Sequence, residues 1–336
     1  MTNIKELTEI PKIELHCHLD GSVSYEYLKS QSKKQKIQID MNKVTVGEHC
    51  ERLDYYLKSF DEILKVMQTE ESLIESVLDV VKQAEQDGIK YIEIRYAPKL
   101  HTQKNLKILE VLLAVCKGAE LAESQCDVIT RLIVCGMKHY SNFENIEILK
   151  HVLKNKDLQQ YIVGMDLAGG EEDNSIGKYS EAIEYAKNNN FNITIHAGEC
   201  GCIKNVYDSV ELGAKRIGHG VALLKSEQEI KEFSKRKVLL EICPKSNVQT
   251  KAIKCLEDLD IELLKQYNVP YLINTDNRTV TGTTLIKEYR LLLENNLISM
   301  DEIKRINKEA IGYTFIDKSE IELLMKKFYR AYFMVN

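Results

Sequence analysis

Proline is scarce, with four residues in 336, glycine contributes only 16, and no low-complexity or serine/proline-rich stretch interrupts the chain. Nothing therefore marks a linker, and a single domain spanning 1–336 is expected instead of two. No apolar run approaches the ~18 residues of a membrane span. The opening Met1-Thr2-Asn3-Ile4-Lys5-Glu6 lacks the apolar stretch of a signal peptide, so a cytoplasmic location is expected. Basic blocks are missing too. The net charge is -5, and the lysines are spread along amphipathic segments, which argues against a nucleic-acid surface. The nine cysteines contain no Cys-x-x-Cys, the closest spacing being Cys200-Gly201-Cys202. Free thiols in a reducing compartment are the default reading. A structural zinc on Cys200 and Cys202 lacks the second cysteine pair that would close it.

At 44% hydrophobic and 29% charged residues, the chain can bury a substantial core. Short β-branched runs recur at 13–19, 91–97, 128–135, 161–167, 192–196, 216–220, 238–243 and 271–275. Most are continuously apolar, as parallel strands covered on both faces require. Between them lie helical patterns, such as Leu73-Ile74-x-x-Val77-Leu78-x-x-Val81-x-x-Ala84 and Leu106-x-x-Leu109-x-x-Leu112-Leu113-x-x-Cys116. Eight strand–helix units predict an α/β fold, a (β/α)8 TIM barrel in preference to a doubly wound sheet. The first connection, 21–90, is too long for one crossover helix. It predicts a helical insertion, including 55–66, lying over the barrel mouth as a lid.

Chemistry collects at the strand ends. His16 and His18 are two residues apart on a strand and so share one face, with Cys17 on the other. His196 and His219 end strands 5 and 6, and Asp276 follows strand 8. In a barrel these ends converge on the catalytic face. Three imidazoles and one carboxylate (His16, His18, His196, Asp276) can surround a divalent ion and leave a position for water, whereas structural zinc is usually closed by cysteine-rich sets. Zinc brings the pKa of water to about 7, so hydrolysis follows. Strand 4 ends in Gly164-Met165-Asp166-Leu167-Ala168-Gly169 without a lysine to bridge two ions, so one Zn2+ per chain is expected. Glu199 is placed as an acid/base group. His219, between Gly218 and Gly220, suits a base and an oxyanion stabiliser. The remaining histidines, His49, His101, His139 and His151, are read as solvated or capping residues.

The motifs IELHCHLDGS, VGMDLAGG, TIHAGE, RIGHG, EICPKSN and INTDN, in this order from Pro11 to about Tyr289, closely resemble the adenosine deaminase family of the metal-dependent amidohydrolase superfamily. The resemblance implies zinc on His16, His18, His196 and Asp276, with Asp276 also orienting the attacking hydroxide. It implies proton sharing between Glu199 and purine N1, His219 assisting water attack at C6, and loss of ammonia to give inosine. Among substrate contacts, Asp20 matches the aspartate that bonds the ribose 5′-hydroxyl, and Gly169 the glycine whose N–H reaches purine N3. Phe60 resembles the apolar cover, and Ser246 supports the metal site from behind. Two departures stand out. Asn277 occupies the place of a usual Asp that bonds N7, and since N7 only accepts, an amide donates to it directly. Gly170-Glu171 replaces a usual Asp-Glu near the ribose. Deaminases of adenine or aminodeoxyfutalosine usually carry Glu at the Asp20 position, and those of N6-methyl-AMP carry Asn, so Asp20 favours a nucleoside. The expected partner is thus a small purine nucleoside. The competing class is a barrel that binds nucleosides or proteins without turnover, and the retained proton-transfer groups speak against it.

Overall fold

The computed structural model describes residues 4–47, 50, 56–171 and 175–333, residue 4 and the last three by backbone alone. The eight apolar runs all form strands: β1 (Lys12–His18), β2 (Ile89–Tyr96), β3 (Ile129–Met137), β4 (Ile162–Ala168), β5 (Asn192–Ala197), β6 (Arg216–His219), β7 (Leu239–Ile242) and β8 (Tyr271–Ile273). They pair in parallel in sequence order from β1 to β8, which a doubly wound sheet cannot do. The ring closes where Cys17 bridges Asp276. There the His18 N–H donates to Asp276 O at 2.7 Å and the Asp276 N–H to His16 O at 3.0 Å. Asn274 strengthens this seam, its Oδ1 accepting from the N–H groups of Leu15 and His16. Helices separate the strands, so the fold is a (β/α)8 TIM barrel.

The helix Glu70–Gln86 begins at a Thr69/Ser72 capping box and buries Leu73, Val77, Val80, Val81 and Ala84. It packs against the helix Ile108–Gln125 at Gly118, where an added Cβ would lie 2.9 Å from Ile74 O and from Val77. That second helix departs from its sequence pattern. It buries Val111, Leu112, Val115, Cys116, Ala119 and Ala122, while Leu109 and Leu113 stay exposed. Apolar residues lie nearly all round it, so periodicity alone does not select the core face.

Between β1 and Glu70–Gln86 the chain adds the helices Tyr25–Gln35 and Ser59–Leu64. The expected helical stretch at 55–66 is thus partly observed, while its residue 55 and the expectation for His49 lie outside the described residues. No described helix is long and apolar enough to cross a membrane. No disulfide joins the cysteines of the described residues.

Candidate active site at the barrel mouth

The C-terminal strand ends surround a cavity of about 260 Å³, walled by His18, Asp20, Phe60, Gly169, His196, Glu199, His219, Asp276 and Asn277 among others. Every one of these nine was singled out in the sequence. His16 and Ser246 lie behind that wall, fully or almost fully buried. Two of the side chains reach the mouth through unusual backbone: His219 has φ 64° and Asp276 φ 62°, in the left-handed region that His and Asp enter more readily than most residues.

His16, His18, His196 and Asp276 each offer one ligand atom, all within 4.8 Å of one another. Nε2 of His18 is 3.2 Å from Nε2 of His196, and Asp276 Oδ1 is 3.4 Å from Nε2 of both His16 and His18. A tetrahedral site with bonds of ~2.1 Å places neighbouring ligand atoms ~3.4 Å apart. His16 Nε2 is buried and makes no hydrogen bond, an orphan that a metal ion would satisfy. Burial pushes His196 down to about 3 and His18 well below its ordinary value, so both rings are neutral, the form that binds metal. The donor set therefore fits a transition ion such as zinc.

The opposite ring nitrogens are held by residues that the sequence reading assigned no role. His16 Nδ1 contacts Glu241 Oε2 at 3.0 Å, and His196 Nδ1 contacts Asp166 Oδ2 at 2.8 Å. Arg95 joins the two carboxylates, 2.9 Å from Asp166 and 2.7 Å from Glu241, and all three side chains are fully buried. Burial alone would raise both carboxylates. Instead His196 and Arg95 hold Asp166, and Arg95 and Arg216 hold Glu241, well below the usual range. Such partners fix ring orientation and leave Nε2 facing the other ligand atoms. A signal was present in YIEIRY, GMDLA and LLEIC, where single charges interrupt strands that ought to be apolar on both faces.

Ser246 donates to Asp276 Oδ2 at 2.6 Å. Asn247 donates to His219 Nδ1 at 2.8 Å while its Oδ1 accepts from the Cys243 N–H. His219 Nε2 lies 3.7 Å from Glu199 Oε2. The Lys138 ammonium, lowered by burial, faces Glu171 and Glu199 and donates to His196 O at 2.9 Å. Asn277 turns its oxygen toward Gly21, where an added Cβ would sit 2.1 Å away, and that oxygen has no partner. His101 corrects its sequence reading. It is fully buried, not solvated, because it fills the space between Asp20 and the insertion. His139 is exposed as expected, yet it lines the cavity rim.

Residues 11–331 match the family model described as adenosine deaminase. An adenosine deaminase of Enterococcus faecalis is 40% identical over 96% of this chain and 97% of its own length. One from Streptococcus mutans is 36% identical over 97% and 95%. Among solved structures, Arabidopsis ADAL complexed with IMP superposes with a TM-score of 0.86 at 25% identity, covering 97% of this chain and 98% of the other. With the barrel, the histidine–aspartate cluster and near-complete coverage all in agreement, the chain belongs to the adenosine deaminase family.

Proposed function

We propose that the chain hydrolyses adenosine and 2′-deoxyadenosine at C6, giving inosine or 2′-deoxyinosine and ammonia, with one zinc ion held by His16, His18, His196 and Asp276. The observation that carries this reading is the convergence of those four ligand atoms, all within 4.8 Å of one another, beside a carboxyl group, Glu199, that stands outside them. Bound there, zinc supplies hydroxide at neutral pH by bringing the pKa of water to about 7.

The protein's own groups do the rest. Glu199, on the cavity wall, donates a proton to purine N1 and makes C6 electrophilic. His219 accepts at Nδ1 from Asn247, so the neutral ring carries its hydrogen on Nε2. Of the two roles open to it, base and oxyanion stabiliser, this tautomer favours donation to the oxygen that adds at C6. Asp276, fixed by Ser246, orients the incoming oxygen. The proton of the added hydroxyl then passes to the amino group, which leaves as ammonia and gives the 6-oxo purine.

Asp20 accepts the 5′-hydroxyl, the Gly169 N–H reaches N3, and the Asn277 amide donates to N7, its oxygen being turned to Gly21. Phe60, partly buried in the insertion helix Ser59–Leu64, covers the purine. The whole chain works as one domain, with the insertion between 21 and 90 as its lid. IMP is the ligand of the Arabidopsis protein. Here a carboxylate at position 20 favours an uncharged nucleoside. Described cysteines without a disulfide accord with the cytoplasm.

Glu199→Gln is the test. Turnover should fall at least ~100-fold while elemental analysis still finds about one metal per chain and nucleoside binding persists. Near-normal turnover refutes the role of Glu199, loss of metal would make it a ligand, and faster turnover of adenine or AMP than of adenosine refutes the substrate.

A further inference from the structure

His101 closes the short 3-10 turn Pro98–His101 after β2 and is fully buried beside Asp20. Its Nε2 is 2.6 Å from Asp20 Oδ1, and its Nδ1 is 2.9 Å from Met67 O. A carbonyl oxygen only accepts, so Nδ1 carries a hydrogen and donates it to Met67. At the other end of the ring Nε2 shares a hydrogen bond with Asp20 Oδ1, so His101 ties the Asp20 side chain to the Met67 backbone.

The other carboxylate oxygen of Asp20 accepts from the Ala97 N–H at 3.2 Å. Asp20 is thus held at both oxygens and still lines the cavity. Met67 follows the insertion helix that brings Phe60 and Leu64 to the cavity wall. The same junction is tied by Gln68, which donates to Leu100 O at 3.0 Å and accepts from the Gln103 N–H at 2.9 Å. His101 spans from this junction to the side chain at the ribose end.

We propose that His101 is a specificity-determining positioning residue. It holds the Asp20 carboxylate in the rotamer that receives the 5′-hydroxyl. The inference rests on the proposed contact of Asp20 with the 5′-hydroxyl.

The experiment measures kcat/KM for adenosine and for 5′-deoxyadenosine, whose ratio in the wild type should be about 10- to 150-fold, the scale of one hydrogen bond to a charged group. Glutamine can place an amide near the lost Nε2, and asparagine near the lost Nδ1. His101→Asn should cut the ratio at least ~5-fold, with metal content kept and Met67 still bonded. His101→Gln should retain most of the ratio. Imidazole added to His101→Gly should restore it, which keeps the test usable if the asparagine variant folds poorly. A merely structural tether to Met67 predicts the reverse order, with asparagine the better replacement, and that result overturns the proposal. If Asp20→Ala collapses the ratio while His101→Asn leaves it intact, the role of His101 alone is refuted. If Asp20→Ala also leaves it intact, the reading of Asp20 falls with it.

Discussion

Asn247 donates to Nδ1 of His219 at 2.8 Å, and its own oxygen is occupied by the Cys243 N–H. Turned round, the amide would set its NH2 against the Cys243 N–H, so the helix Pro244–Gln249 fixes the tautomer of His219.

Asn247→Asp keeps an acceptor for Cys243 but removes the donor to His219. We expect kcat to fall ~10- to 100-fold with metal content unchanged, the usual scale for a group that orients a site residue. Nitrogen NMR of the ring should show the proton moved to Nδ1. A variant with wild-type kcat would disprove the donor role of Nε2.

Arg95→Met should act on stability and on metal together. It leaves Asp166 and Glu241 buried with one cation fewer. Breaking a buried pair costs about 3–5 kcal/mol, and misoriented ligand histidines lose ~10- to 100-fold in metal affinity. Denaturant unfolding and metal titration measure the two effects. A loss below ~1 kcal/mol would mean that Arg216 carries the network alone.

Gly21→Ala pushes a methyl group into Asn277, whose oxygen would be 2.1 Å from it. Asn277 must rotate, and kcat/KM should fall about as far as in Asn277→Ala. The double variant should then be no worse than either single one, because the coupling runs through one contact. Additive losses in kcat/KM would separate the two residues.

Glu288 supplies a pH dependence through a group that is not one of the proposed ligands. Burial raises its carboxyl from 4.5 to about 7, although Thr283 and the Lys245 N–H bond to it. A group with a raised folded pKa stabilises fully below its unfolded pKa, and that stability is lost as pH rises through the folded value. The chain should lose roughly 2–3 kcal/mol between about pH 4.5 and 7 from this group. Glu288→Gln should flatten the profile, and an identical slope in both proteins would rule Glu288 out as its source.

The strands were legible because their residues carry the information locally: β-branched runs between helical stripes need no knowledge of distant partners. His16, His18, His196 and Asp276 were legible for a related reason, since each ends such a run. What sequence could not convey was pairing across the barrel. Arg95 meets Asp166 and Glu241, 71 and 146 residues away, and no local pattern joins them. His101 was misread because its burial depends on Met67, 34 residues earlier in the insertion. Leu109 and Leu113 show the same limit on a helix, where an apolar stripe is visible but its facing is set by neighbours.

The seam between β1 and Asp276 also has a meaning for synthesis. Asn274 Oδ1 meets the His16 N–H across 258 residues, and Asp276 joins His16 and His18 at the same junction. A growing chain acquires His16 and His18 long before Asp276. No fragment that stops short of Asp276 contains all four proposed ligands, so the cluster is complete only once the last strand docks against the first.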